Sequence, residues 1–164
     1  MKTQGEKLLD QFIANSKNVQ NENIVLAKDE FIEKLKRENF PFIYLHTPFK
    51  TFNKKCEIDK SGINKAIVMA DFAIAETGTL VVNSINEMIR LSTSLSEHLF
   101  LVVKKSNIVS SLEDIANYMN KECSKENTYI AFISGASRTA DIERVLTIGV
   151  HGPLALTVIV ISDL

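Results

Sequence analysis

Apolar residues recur at helical spacing in two stretches near the beginning of the chain. Residues 5–17 carry one stripe and residues 27–39 carry another, which ends before Pro41. Each stripe predicts an amphipathic α-helix, because residues three or four apart lie on the same helix face. The polar residues 18–23 between the stripes predict a loop. The members of the stripes are Leu8, Leu9, Phe12 and Ile13, then Phe31, Ile32 and Leu35.

Short apolar runs bounded by polar or turn residues predict β-strands in the middle of the chain. The first run is PFIYLH. The runs FAIAE and TLVVN predict two strands that form a hairpin around Thr77-Gly78. Residues 65–69 fit either a short helix or a strand, and the pattern leaves both open.

Strands alternate with a helix in the second half of the chain. The runs EHLFLVVKK, YIAFIS and LALTVIVI predict strands, and the last two are apolar on successive residues, which is typical of strands covered on both faces. Residues 110–123 predict a helix, with Ser110 and Glu113 at the spacing of a capping box.

These elements determine the predicted fold class and the domain count. The alternation of strands and helices predicts an α/β fold with a mostly parallel central sheet flanked by helices. A length of 164 residues, 45% of them apolar, suits one domain with a substantial core. We expect a helical N-terminal region at 1–40 and an α/β core at 41–164.

Charge and cysteine content argue against several classes of function. The net charge is −1, so no overall positive field attracts nucleic acid or an anionic membrane. The longest apolar run, LTVIVI, is far shorter than the roughly 20 residues that cross a bilayer, and residues 1–12 contain no apolar signal-peptide core. Two distant cysteines, Cys56 and Cys123, favour a cytoplasmic protein, and they are too few for an iron–sulfur cluster with about four ligands.

Familiar cofactor and catalytic motifs are absent from the sequence. It contains no glycine-rich dinucleotide fingerprint, no P-loop and no G-x-S-x-G nucleophile turn. The three histidines lack the local spacing of metal ligands, so we predict no metal site. The candidate chemistry therefore lies in two polar turns.

The first polar turn is AETGT, residues 75–79. Gly78 permits a positive φ or the close approach of a ligand to the backbone. We expect the carboxylate of Glu76 to be partly buried, because apolar residues surround the turn, and burial raises the pKa of a carboxyl group. Glu76 is accordingly a candidate acid, base or nucleophile. The alternative is a structural carboxylate that holds the turn by pairing with Arg138 or Arg90.

The second polar turn is much longer and runs from Ser134 to Pro153 as SGASRTADIERVLTIGVHGP. The hydroxyls of Ser137 and Thr139 and the guanidinium of Arg138 suit a phosphate or a carboxylate. This holds especially if a helix begins at TADIERVL and presents its N–H groups.

Three titratable residues of the same segment leave alternatives open. Asp141 and Glu143 either pair with the nearby arginines or cap the expected helix. His151 is a candidate catalytic group that titrates near neutral pH, or it holds the turn by bonding the backbone.

The two polar turns are expected to face each other. The longer one begins where strand YIAFIS ends, and ligands of parallel sheets bind beyond the carboxyl ends of the strands. We therefore expect a small-anion pocket with Thr77, Gly78 and Thr79 on one wall and with Arg138 close to Glu76. The alternative is an internal hydrogen-bonded plug that holds two strands together.

The strings ADFAIAETGTLVV and SGASRTADIERVLTIGVHGPLALTVIVI resemble the LUD domain family, the lactate-utilisation proteins of the LutC/YkgG type. The resemblance covers residues 70–164. It departs from the family at Ser96-Glu97-His98, where a Pro-Pro-His segment is expected, and at Ala136, where the family has Pro. Family signature residues fall on Glu76, Thr77, Gly78, Thr79, Ser137, Arg138, Thr139, Asp141, Glu143, Gly149, His151, Gly152 and Pro153.

The resemblance implies a fold similar to the NagB/RpiA/CoA-transferase-like proteins and a role in bacterial oxidation of L-lactate to pyruvate. This chain would be a LutC-like accessory subunit that binds a small carboxylate or another anion. It would carry no cofactor itself, and iron–sulfur clusters would belong to partner subunits. One alternative is a stand-alone isomerase- or CoA-transferase-like enzyme that uses Glu76, and another is a binding module without chemistry.

Overall fold

The computed structural model describes residues 2–56, 62–84, 86–136, 138–140, 146–148 and 152–164. The helices are α1 (Gln4–Asn18), α2 (Lys28–Arg37), α3 (Glu87–Leu95) and α4 (Ala116–Cys123). The strands are β1 (Glu22–Leu26), β2 (Phe42–Tyr44), β3 (Ile63–Met69), β4 (Phe72–Ile74), β5 (Thr79–Asn83), β6 (Ser96–Lys104), β7 (Ile108–Val109), β8 (Ile130–Ile133), β9 (Arg138–Ala140), β10 (Leu146–Ile148) and β11 (Ala155–Ile161).

A five-stranded parallel sheet forms the centre of the described structure, in the order β1-β11-β6-β3-β2. Helices flank it, so the predicted α/β class with a mostly parallel central sheet is confirmed. β3, β6 and β11 are almost continuously apolar and buried, because both faces of the sheet are covered. Residues 65–69, which fitted either a helix or a strand, belong to β3.

Each face of the parallel sheet has its own apolar layer. On one face, Phe31 and Leu35 of α2 pack with Ile67 and Phe100 of the sheet. On the other face, Phe12 of α1 and Ile89 of α3 join one cluster with sheet residues and with the buried side of a second sheet. The parallel sheet is therefore the middle layer.

The second sheet has the order β7-β4-β5-β8. β4 and β5 form the expected antiparallel hairpin, so that prediction is confirmed. β8, however, is an edge strand of this sheet, and Phe132 on it is 45% exposed. The expectation that YIAFIS is covered on both faces is wrong, because an apolar run alone does not distinguish a central strand from an edge strand.

This topology corrects the expected location of the long polar segment. The segment leaves β8 in the second sheet and enters the parallel sheet at the beginning of β11, where Ala155 pairs with His98 at the beginning of β6. It therefore joins the parallel sheet at the amino ends of the strands, and the expectation that the segment follows a strand of the parallel sheet at its carboxyl end is wrong.

Three local predictions also need correction. β1 begins at Glu22, inside the stretch predicted as a loop, and it brings part of the N-terminal region into the core sheet beside β11. The capping box before α4 uses Ser111 and Asp114, one residue later than predicted. Arg138–Ala140 form strand β9, paired antiparallel with β10, so the helix that was one possibility for this segment does not begin at Thr139.

Candidate functional site

The C-terminal end of α1 is the point where several distant segments meet. Gln20 has a φ of 63°, and its N–H donates to the carbonyl of Lys17, while the N–H of Asn21 donates to that of Ser16. This pair of bonds with a left-handed residue is the Schellman ending of a helix. It turns the chain sharply, so that β1 begins at Glu22 after the short turn 19–21.

The turn Ala75–Thr79 is bound to this end of α1. The side-chain amide of Asn15 donates to the carbonyl oxygens of Ala75 at 2.8 Å and Glu76 at 3.1 Å. Gly78 has a φ of 67°, and a Cβ there would lie 2.5 Å from the backbone nitrogen of Ser16. The positive φ expected of Gly78 is confirmed, but the close approach that requires glycine is to the protein's own helix.

Ser134 joins the same junction at the start of the long polar segment. Its hydroxyl lies 2.8 Å from that of Thr79, and its carbonyl accepts a 2.7 Å hydrogen bond from the side-chain amide of Asn21. A Cβ on Gly135 would lie 3.1 Å from the carbonyl oxygen of Val19. The two polar turns therefore touch where Thr79 meets Ser134, with α1 beneath them.

Glu76 points away from this contact. Its side chain is exposed, and it accepts a long 3.4 Å bond from the N–H of Leu112. The expected partial burial of its carboxylate is wrong, because Asn15 and Gly78, not Glu76, hold the turn against the core. Without burial, the physical argument for Glu76 as an acid, base or nucleophile loses its basis.

A groove of about 680 Å³ lies beside Glu76, and we call it the acidic groove. Glu76 and Glu113 contribute two carboxylates to it, and Met119 and Phe132 contribute apolar surface. No Lys or Arg is found among its described lining residues, so its charge does not favour an anion. Its other lining residues are Ser111, Leu112, Ala116 and Asn120.

A smaller cleft of about 280 Å³ lies at the amino ends of β1, β6 and β11, and we call it the amino-edge cleft. Three of its residues form a hydrogen-bonded chain. The hydroxyl of Thr157 lies 2.8 Å from Nε2 of His98 and donates to Oε2 of Glu22 at 2.8 Å. The rest of the lining is Gln20, Ala136 and Leu154–Leu156.

The electrostatic environment of His98 favours the neutral imidazole. Burial is the main cause of its lowered pKa, because a charged ring loses hydration there. Lys65 and Lys34 also lower the pKa, while Glu22 and Glu38 raise it. The ring stacks on Phe100 with centroids 4.1 Å apart, which restricts its orientation.

The LUD domain family model matches residues 9–161 of the chain, and these include the C-terminal end of α1 and the amino-edge cleft. The chain belongs to the LUD domain family. A solved structure agrees with the fold: a DUF162 family protein from Deinococcus radiodurans aligns over 98% of this chain and 100% of its own, with a TM-score of 0.69 and 17% identity.

Curated relatives of this LUD domain have longer chains. Lactate utilization protein C of Geobacillus sp. (strain WCH70) is 37% identical over 61% of this chain and 43% of its own length. Lactate utilization protein C of Halalkalibacterium halodurans is 34% identical over 74% and 52%. The uncharacterised protein YkgG of Escherichia coli K12 is 31% identical over 59% and 43%. The alignments thus span about half of the relatives' length.

Several predicted site residues of this LUD domain lie outside the described residues. They are Ser137, Asp141, Glu143, Gly149 and His151. The backbone of Arg138 pairs with Ile148 and that of Thr139 with Thr147 in the β9–β10 hairpin. The expected approach of Arg138 to Glu76 stays a prediction. Ala136, near the start of the segment, and Leu154, directly after its end, both line the amino-edge cleft.

Sequence reasoning missed the residues that form the contacts at the end of α1 and the hydrogen bonds of the amino-edge cleft. Asn15, Asn21, Glu22 and Thr157 were not candidates, and His98 was noted only as a family residue. One signal was available: Thr157 is the polar residue within the apolar run LALTVIVI, and polar groups in a central strand need a hydrogen-bond partner. The asparagines gave no comparable signal.

Among the described residues, the structure has two free thiols but neither a metal-binding cluster nor a helix that could span a membrane. Within the described ranges, no group of three or more His, Cys, Asp or Glu side chains is arranged to hold a metal ion. Cys56 is half-buried and Cys123 is exposed, and both are free thiols. None of the described helices is both long enough and apolar enough to span a membrane.

Proposed function

We propose that this LUD domain serves lactate utilisation by binding a small carboxylate in the amino-edge cleft, next to the polar turns 75–79 and 134–153. Redox cofactors, including iron–sulfur clusters, belong to partner chains. Relatives named lactate utilization protein C, at 34–37% identity, support the pathway. In the proposal, the chain acts as a LutC-like accessory subunit, and the same relationship supports this role.

The observation that carries the proposal is the position of the long polar segment's two ends. Ala136, near the start of the segment, and Leu154, directly after its end, line the same cleft, and Ser134 binds both Thr79 and Asn21 beside it. Two residues of extended chain span at most about 7 Å, so the backbone of Arg138 lies near Ala136. The described lining of this cleft contains the carboxylate of Glu22 and no Lys or Arg, so the proposal requires a cation from the long polar segment. It assigns that role to Arg138, because a planar guanidinium binds a carboxylate with two parallel bonds.

The division of labour with partner chains follows from the chemistry of lactate oxidation. Converting a 2-hydroxy acid into a 2-keto acid removes two electrons, which an electron carrier must accept. A cluster takes about four cysteine ligands, whereas this chain has two cysteines at distant positions. In the proposal, the LUD domain therefore binds and presents the carboxylate, and the partner chains accept the electrons.

A thermal-shift panel of L-lactate, pyruvate and related small carboxylates tests the proposal. At ten times Kd, binding to the native state adds about 1.4 kcal/mol, which raises the Tm of a domain of this size by about 3–6 °C. R138A should abolish the shift. R37A, which removes the same charge from the exposed end of α2, should retain it. An unchanged Tm with every carboxylate would overturn the proposed function.

A further inference from the structure

The hydrogen bonds among Glu22, Thr157 and His98 determine which nitrogen of the His98 ring carries the proton. The hydroxyl of Thr157 has one hydrogen, and it donates that hydrogen to the carboxylate of Glu22, which can only accept. The 2.8 Å contact with His98 must then use a lone pair of Thr157, so Nε2 of His98 is the donor. In the neutral ring, Nε2 carries the proton and Nδ1 is left as an acceptor.

Strand pairing fixes the positions of these three hydrogen-bonded side chains. Thr157 is fully buried in β11 and is paired in register with Glu22 of β1 on one side and Phe100 of β6 on the other. His98 stacks on that same Phe100. No described residue forms a hydrogen bond with Nδ1 of His98, although the residue lines the amino-edge cleft. A site built on strands in this way is preorganised for a ligand.

We propose that Nδ1 of His98 accepts a hydrogen bond from the hydroxyl of the bound ligand, so that the cleft selects a hydroxycarboxylate over the corresponding keto acid. The inference rests on the proposed function, which supplies the contact to the carboxylate. A hydroxyl can donate a hydrogen bond to Nδ1. A keto oxygen can only accept, so it faces the lone pair of Nδ1 and forms no hydrogen bond there. Thr157 and Glu22 act as positioning residues, because they hold the ring in the required tautomer.

A matched ligand series tests this selection in the full chain. L-lactate, propanoate and pyruvate share a three-carbon carboxylate and differ only at the second carbon. One additional neutral hydrogen bond corresponds to about fivefold in Kd, so L-lactate should bind about fivefold more tightly than propanoate, and pyruvate should bind no better than propanoate. H98Q should remove the preference for L-lactate while propanoate still binds. T157V should weaken the preference and T157S should restore it.

The tautomer can be measured without any ligand. The ¹⁵N chemical shifts of His98 in the wild-type protein should show a protonated Nε2 and an unprotonated Nδ1 at neutral pH. On acidification through the lowered pKa of His98, Nδ1 gains a proton and becomes a donor, so the preference for L-lactate should decrease, because a hydroxyl oxygen and a keto oxygen can both accept from it. Glu22, Glu38, Lys34 and Lys65 influence this pKa, and E22Q should shift the pH of the change downward because the carboxylate of Glu22 raises the pKa.

The outcomes separate the two proposals. Failure of all three carboxylates to bind would overturn the proposed function and this inference with it. Equal binding of L-lactate and propanoate, or a proton on Nδ1 of the neutral ring, would overturn the selection by His98 and leave carboxylate binding intact. A preference for L-lactate that H98Q removes would support both.

Discussion

The hydroxyl of Thr79 lies 2.8 Å from the hydroxyl of Ser134, across 55 positions of sequence. Ser134 is also bound through its carbonyl to Asn21, which lies in the turn between α1 and β1. These hydrogen bonds therefore hold three segments together: the turn after β4, the end of β8 and the residues before β1. The amino-edge cleft lies next to that point because Gln20, Glu22 and Ala136 continue from these same segments.

A double-mutant cycle measures the contact between the two hydroxyls. T79V and S134A should each lower the free energy of unfolding by about 1 kcal/mol, because one hydroxyl loses its partner in a partly buried site. The double variant should lose less than the sum, with a coupling of at least about 0.5 kcal/mol. Additive losses in urea denaturation would show that the two hydroxyls do not interact.

Asn15 should be important for stability because it satisfies two carbonyl groups of the turn Ala75–Thr79. N15A should lower the free energy of unfolding by about 1–2 kcal/mol, since a partly buried carbonyl loses its donor. N18A, at the exposed end of the same helix, serves as the control and should change it by less than about 0.5 kcal/mol. Equal effects of the two variants in chemical denaturation would contradict the anchoring role.

The two glycines of the α1 region should respond oppositely to alanine. G78A forces a Cβ to within 2.5 Å of the Ser16 nitrogen at a φ of 67°, so it should cost about 2 kcal/mol or more. G5A lies in the first turn of α1, where the nearest atom to an added Cβ is 3.9 Å away, and it should be neutral or stabilising by up to about 1 kcal/mol. A G78A protein as stable as the wild type would contradict the close packing of the turn on α1.

The helical part of the fold could be predicted because α1 and α2 keep a regular apolar stripe. β1 could not, because Glu22–Leu26 has no clear alternation and becomes a strand by pairing with β11, 135 positions away. β8 was assigned to the wrong sheet for a related reason. Its apolar run indicates a strand, but the choice of neighbour depends on the tertiary structure.

The candidate site was partly accessible from the sequence. The meeting of the two polar turns at Thr79 and Ser134 agrees with the expectation that they face each other. Glu76 was a candidate site residue because a carboxylate after an apolar run suggests burial, yet its side chain is exposed. Asn21 and Thr157 act through partners more than 100 positions away, which no local pattern reveals.

The pH dependence of stability should contain a contribution from Asp71. Burial raises the pKa of its carboxyl group, while the hydrogen bond from the Asn83 N–H and the nearby His46 partly oppose the shift. A raised pKa in the folded state means that the folded protein binds the proton more tightly, so this contribution to stability falls as the pH rises from 3.8 through the raised value. D71N should remove that decrease in denaturation curves measured across this range. An unchanged pH profile would contradict the burial of the charge.

The location of the ligand is tested most directly by backbone amide shifts of ¹⁵N-labelled protein during titration with L-lactate. The account predicts that the shifts concentrate at Gln20, Ala136 and Leu154–Thr157, which surround the amino-edge cleft. Shifts centred on Leu112, Glu113 and Phe132 would place the ligand in the acidic groove instead and would contradict the account. The absence of any shift at millimolar L-lactate would contradict it as well.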